Sequence, residues 1–176
     1  MAATVPAFDI DKASEAQRAA AQEIQQDRNQ AGQPLGAIWS CMMDSPGAAR
    51  RIARVGAHCR FDSALSEQQR EVAILAAAYA IGFDLESSYH EQYAARLGVP
   101  APVLAALKQG NFHALPPDMR CIAELSRAVA SGFGADSRSA PLAAVRKQFS
   151  PQTAVDVVTI AGYYVMLHRV SQTLMA

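Results

Sequence analysis

This 176-residue sequence has no charge excess, with sixteen Lys and Arg against sixteen Asp and Glu. No net field draws it to nucleic acid or to an anionic membrane surface. Its basic residues are scattered apart from Arg50, Arg51 and Arg54. Cysteine is scarce: Cys41, Cys59 and Cys121 stand far apart, with no C-x-x-C and no H-x-x-x-H. That excludes a disulfide framework and gives no metal-ligand spacing. Glu71, Glu86 and His90 could in principle supply ligands, but the expectation is no metal. No Gly-rich phosphate loop or dinucleotide fingerprint occurs, and no cofactor is expected. Long apolar runs are missing too: Val72 to Phe83 is too short for a membrane span, and Asp156 and His168 interrupt the C-terminal one. The start, MAATVPAFDIDKASEAQ, lacks the basic-then-apolar pattern of a signal peptide. An odd number of isolated thiols fits a reducing compartment, so the expected location is cytoplasmic, with no nucleic-acid or membrane partner.

Strand-like alternation is also missing, and what is present is helical periodicity. About half of the residues are apolar (51%), enough for a sizeable core. Residues 1–13 read as an N-terminal arm and 14–176 as a single helical domain. Ser14 caps a polar helix to about Asn29, and a short helix follows around LGAIWSCMMD. Ser45 with Pro46 opens the next. SEQQ at 66–69 is a capping box that starts a helix running to about Gly82. Asp84 is a plausible cap for DLESSYHEQYAARLG, which stops at Gly98. PAPVLAALKQG ends at Gly110, and a helix from about Asp118 ends at Gly132. Residues 133–140 read as a loop and PLAAVRKQF as a short helix. A long helix from Ser150-Pro151 runs to the end. Gly162 within it suggests a tight helix–helix contact. The fold class is all-α, helices packed on helices.

The chemistry gathers in REVAILAAAYAIGFDLESSYHEQYAARLGV, residues 70–99. From Val72 to Phe83 no side chain is charged, the mark of a central helix. Glu71 shares a face with Leu75, Ala78 and Gly82. If that face is inside, the carboxyl is desolvated. The other placement is a first-turn acid facing water and favouring the helix dipole. Glu86 and His90 are four apart and meet on one face. A carboxylate beside an imidazole orients it and raises its basicity, as a general base or acid requires. A solvated Glu–His pair near a helix start fits the same spacing. A short GFD turn joins the two helices as antiparallel neighbours. The expectation is that an exact hairpin holds Glu71 and His90 far apart, so convergence needs a wider crossing angle or a neighbouring subunit.

LSEQQREVAILAAAYAIGFDLESSYHEQYAARLGVPAPVLAAL resembles the core of the carboxymuconolactone decarboxylase/AhpD-like family. Ser66, Glu71, Gly82, Glu86, His90, Gly98 and Leu107 fall in register with its capping box, glutamate, glycine turn, Y-E-W-x-x-H and following helices. GAIWSCMMDSPGAARRI upstream and TIAGYYVMLHRVSQTL downstream resemble its flanking segments. The resemblance implies an AhpD-like helical bundle that forms homo-oligomers, trimers or hexamers. In the family's peroxidase branch a C-x-x-C pair works with Glu and His. Phe83 and Glu86 occupy those two cysteine positions here, so dithiol peroxide reduction has no chemistry at this site. Leu85 and Ser87 stand where Tyr and Trp are common.

The resemblance therefore implies a cofactor-free acid/base enzyme. Its substrate would be a small carboxylated or lactone-type catabolic intermediate, as in the breakdown of aromatic compounds. The reaction would be decarboxylase-like, a carboxy-lyase. Glu71, Glu86 and His90 are the candidate catalytic residues. Arg51 shares a face with Val55 and His58 and is the candidate for holding a substrate carboxylate; on position alone a solvated basic face is the favoured reading. Trp39, with Met42 and Met43, is a candidate pocket wall or simply core. Tyr164, one turn before His168, is a candidate donor to the site or a structural hydroxyl. Three alternatives stay open: hydrolysis, isomerisation or lyase chemistry at an activated C–H by the same residues, a non-catalytic oligomeric scaffold of the same fold, and a residual alkylhydroperoxidase-type activity of Cys59 or Cys121.

Overall fold

A computed structural model describes residues 7–132 and 135–175, without the side chains of 135–138. Among these residues every regular element is helical. Nine α-helices follow one another: α1 Glu15–Asp27, α2 Ala37–Cys41, α3 Pro46–Ala57, α4 Glu67–Ile81, α5 Asp84–Arg96, α6 Ala101–Gln109, α7 Pro117–Ala130, α8 Ala135–Gln148 and α9 Pro151–Leu174. A π-helical turn at His58–Asp62 and a 3-10 turn at Phe112–Ala114 link them. The chain divides into two compact units. One comprises the chain to Phe61 and from Leu167 on; the other is Asp62–Met166.

In the first unit α1 packs on α3. Ala20, Ala21 and Ile24 are buried on α1, and Ala49, Ala53 and Gly56 on α3. Ser14 and Gln17 form a complete capping box at the start of α1. Ser45 sits at the N-cap of α3 without a side-chain bond, leaving Pro46 to set the first turn. Glu23 takes both Arg50 and Arg54 at 3.0 Å. Most of the basic cluster is thereby neutralised within its own unit.

In the second unit α4 is the central element. Every residue from Arg70 to Ala78 is buried. No apolar stripe is needed on a helix covered on all sides, which is why its sequence shows no amphipathic period. It packs most heavily against α7 and α5, with α6 alongside. Ser126 of α7 donates to the Ala73 carbonyl at 2.6 Å, and its small side chain lets the two helices approach. Ser66 and Gln69 complete the expected capping box, and Gln69 also donates to Asp118 at 3.1 Å. Asp156 on α9 accepts the Ala64 N–H at 2.8 Å and ties down the entry to α4.

Gly82 ends α4 in the left-handed region, φ 67°, and Phe83 is the N-cap of α5. Asp84 is therefore the first helical residue of α5, not its cap. The expected loop at 133–140 is also corrected: α8 begins at Ala135 and carries Pro141 inside it, while 133 and 134 lie outside the described residues. Pro141 and a cluster of small polar residues made that stretch read as a break. Gly162 is corrected as well. A Cβ there would meet nothing within 4 Å, so no close helix contact within the chain requires the glycine.

Gly82→Ala should cost about 1–2 kcal/mol in urea unfolding, because a Cβ is strained at that φ. Leu75→Ala, fully buried on α4, should cost about 2–5 kcal/mol by the same measurement.

Candidate active site

The hairpin of α4 and α5 builds the site from one short stretch of chain. Glu71 precedes Gly82 by 11 residues and His90 follows it by 8. At about 1.5 Å rise per residue, the two are offset by only about 4–5 Å along antiparallel axes. Their side chains span that distance, and Glu71 Oε2 lies 2.6 Å from His90 Nδ1. The contact forms within one chain, so of the two routes expected to bring them together the neighbouring subunit is not needed.

Both groups are buried, Glu71 at 1% and His90 at 3% exposure. This resolves the two placements open to Glu71: α4 starts at Glu67, so Glu71 stands beyond the first turn, and it faces the core. A contact of this length between a ring N–H and a carboxylate is a charge-assisted hydrogen bond. It sets the proton on Nδ1 and leaves Nε2 as the working nitrogen. Tyr164 Oη of α9 lies 2.8 Å from Nε2, and Glu86 Oε2 lies 3.4 Å from it. When the ring is neutral, the Tyr164 hydroxyl donates to Nε2. When the ring is an imidazolium, Nε2–H donates toward Glu86 or Tyr164 Oη. Tyr89 and Tyr164 both stand edge-on to the ring, centroids 5.2 and 5.3 Å away.

Burial alone would drive the proton off His90. The hydrogen bonds and negative charges of Glu71 and Glu86 outweigh that effect, so the imidazole holds its proton above the ordinary histidine value of 6.5. Glu86 is the member that meets solvent, its side chain 21% exposed. It connects a buried ring to bulk water.

Four of the six sequence candidates converge in this way: Glu71, Glu86, His90 and Tyr164. Arg51 and Trp39 belong to the other unit. Arg51 does not point inward; it is exposed and donates to the Gly47 carbonyl at 2.7 Å. Its apparent inward face fails because α3 buries Ala49, Ala53 and Gly56 instead. Trp39 is buried, with the Arg28 guanidinium 5.2 Å over its ring. Sequence reasoning missed Arg70, whose side chain is only 8% exposed and whose Nε is 3.7 Å from Glu71 Oε1. A signal was available: three, four and seven residues beyond Arg70 come Ala73, Ile74 and Ala77, all of them apolar.

Phe83, at the turn between α4 and α5, is buried. None of the three cysteines is in a disulfide. Burial pushes the Cys41 and Cys121 thiols above their ordinary value, which lowers the thiolate fraction. Among the described residues no group of three or more His, Cys, Asp or Glu could hold a metal ion, and no helix is long and apolar enough to cross a membrane.

The fold defined by these helices is the AhpD-like all-α fold. The chain is similar in structure to an alkylhydroperoxidase AhpD core protein, an uncharacterized peroxidase-related protein from Ralstonia eutropha JMP134. The TM-score is 0.72 at 19% sequence identity, over 98% of this chain and 90% of that one. No protein-family model and no curated protein matches the chain.

His90 binds its proton more tightly folded than unfolded. The stability this adds is complete below the unfolded value of 6.5 and is lost as pH rises through the raised folded value. Urea unfolding across that range should show the wild-type advantage over His90→Asn shrinking as pH increases. An advantage that grows with pH would mean the ring is buried neutral.

Proposed function

We propose that the chain is a cofactor-free acid/base enzyme of the carboxymuconolactone-decarboxylase type. It acts on a small carboxylated or lactone-type intermediate of catabolism. The observation that carries this reading is the buried Glu71–His90–Tyr164 chain opening through Glu86 to water. Buried ionisable groups are costly, and this set is arranged as a proton carrier: one nitrogen anchored, the other facing a donor and an exit.

In the proposed reaction the bond from substrate carbon to carboxylate breaks and CO₂ leaves. The electron pair stays on the substrate as a carbanion or enolate. His90 Nε2–H delivers its proton to that carbon, and Tyr164 donates a hydrogen bond to the developing enolate oxygen. Glu71 keeps the Nδ1–H tautomer throughout. The ring regains a proton from solvent by way of Glu86, which closes the cycle.

A thiol peroxidase is the reading favoured by the peroxidase-related structural neighbour. Against it stand the absence of sulfur at positions 83 and 86 and the raised thiols of Cys41 and Cys121. We also propose a cytoplasmic homo-oligomer, a trimer or hexamer. Leu85 and Tyr89 on α5 and Val155 and Val158 on α9 leave large apolar side chains exposed, which a second copy would cover.

Turnover of carboxylated lactones, read as CO₂ release, should fall about 10²- to 10⁴-fold in His90→Ala, with the helical content unchanged. A His90→Ala variant as active as wild type would overturn the reading. Peroxide consumption with a dithiol reductant that is lost on alkylation would replace it with the peroxidase one. Analytical ultracentrifugation should show an assembly larger than a monomer.

A further inference from the structure

Arg70 has no part in the proton-transfer scheme above. Its guanidinium carries five N–H donors, yet among the described residues it makes no hydrogen bond. Nε is fully buried without a partner. The nearest carboxylate oxygens are Glu71 Oε1 at 3.7 Å from Nε and Glu67 Oε1 at 4.0 Å from Nη2. Those distances balance charge and leave the buried Nε–H without a hydrogen bond. Glu67 is 66% exposed, so water screens its charge. The other oxygen of Glu71 is committed to His90.

A buried cation is tolerated when charge and hydrogen bonds are both supplied, and here the bond at Nε is missing. The missing component is a planar oxyanion, which meets a guanidinium through two parallel N–H···O bonds. Its place is next to the reacting ring, because Glu71 alone separates Arg70 from His90.

We propose that Arg70 is the carboxylate-binding group of the site, holding the substrate's carboxylate beside the Glu71–His90 pair. This deepens the acid/base reading and rests on it. Arg70 takes the role that the sequence offered to Arg51.

The test is an NMR titration of the intact protein with acetate, following the Arg70 Nε–H resonance, with chloride at matched ionic strength as the control. A saturable shift with acetate and none with chloride is expected. Arg70→Gln should weaken acetate binding at least about tenfold, and Arg70→Lys less. The proposal is overturned by an Nε–H that does not respond, by equal shifts with chloride, or by unchanged affinity in Arg70→Gln. The wild-type titration decides the matter even if Arg70→Gln does not fold. His90→Asn separates the two readings, since it should retain acetate binding while losing turnover. Acetate binding at Arg70 without decarboxylation by the wild type would leave the anion site standing and remove the reaction assigned to it. A KM for carboxylated lactones unchanged in Arg70→Gln would remove the anion site and leave the reaction.

Discussion

A carboxylate and an imidazole 2.6 Å apart, both out of water, set the terms for the rest of the second unit. Neither group could be buried alone without a severe desolvation cost. Each is made tolerable by the other, by Tyr164 on the far nitrogen and by Glu86 at the edge. The pair stays in register only if α4 and α5 hold a fixed offset. The capping box at Ser66, the left-handed Gly82 and the Ser126 bond to Ala73 serve that offset. Tyr79 adds to it from the other side, donating to Glu91 of α5 at 2.9 Å.

The same burial gives the site its electrostatic character. In a low-dielectric setting the two acids beside His90 count for more than they would at the surface, and they hold a proton on a ring that burial would otherwise strip. Arg70 supplies positive charge on the opposite side of Glu71. Phe83 closes the α4–α5 corner with an aromatic ring at the place where the peroxidase arrangement would put sulfur. The corner is therefore apolar, with Glu86 and His90 following it on α5.

Much of this was legible in the amino acids. The helices, their caps at Ser14 and Ser66 and the stops at Gly82, Gly98 and Gly110 all follow from local rules. So does the meeting of Glu86 and His90, a pair four residues apart. What local rules could not supply was the direction of long side chains. Arg51 and Arg70 carry the same group, and both sit on faces with apolar neighbours. Tertiary packing buries one and exposes the other. The α8 start was hidden because Pro141 and nearby polar residues imitate a loop, and propensity yields to packing there. The meeting of Glu71 and His90 depends on how α4 and α5 are offset about Gly82, which pairs of residues on one helix do not reveal.

Tyr164 differs from the other members of the site in where it comes from. Glu71, Glu86 and His90 lie within 20 consecutive residues, whereas Tyr164 arrives from a helix 74 positions beyond His90. The site thus has two heritable parts. The proton carrier is a single hairpin, whose geometry survives or fails as a unit: one residue inserted between Gly82 and His90 would rotate the ring by about 100° away from Glu71. The group that addresses Nε2 sits on a separate element, free to change without touching the carrier. A substitution at Tyr164 changes the group that faces Nε2 and leaves the Glu71–His90 bond of the α4–α5 hairpin in place.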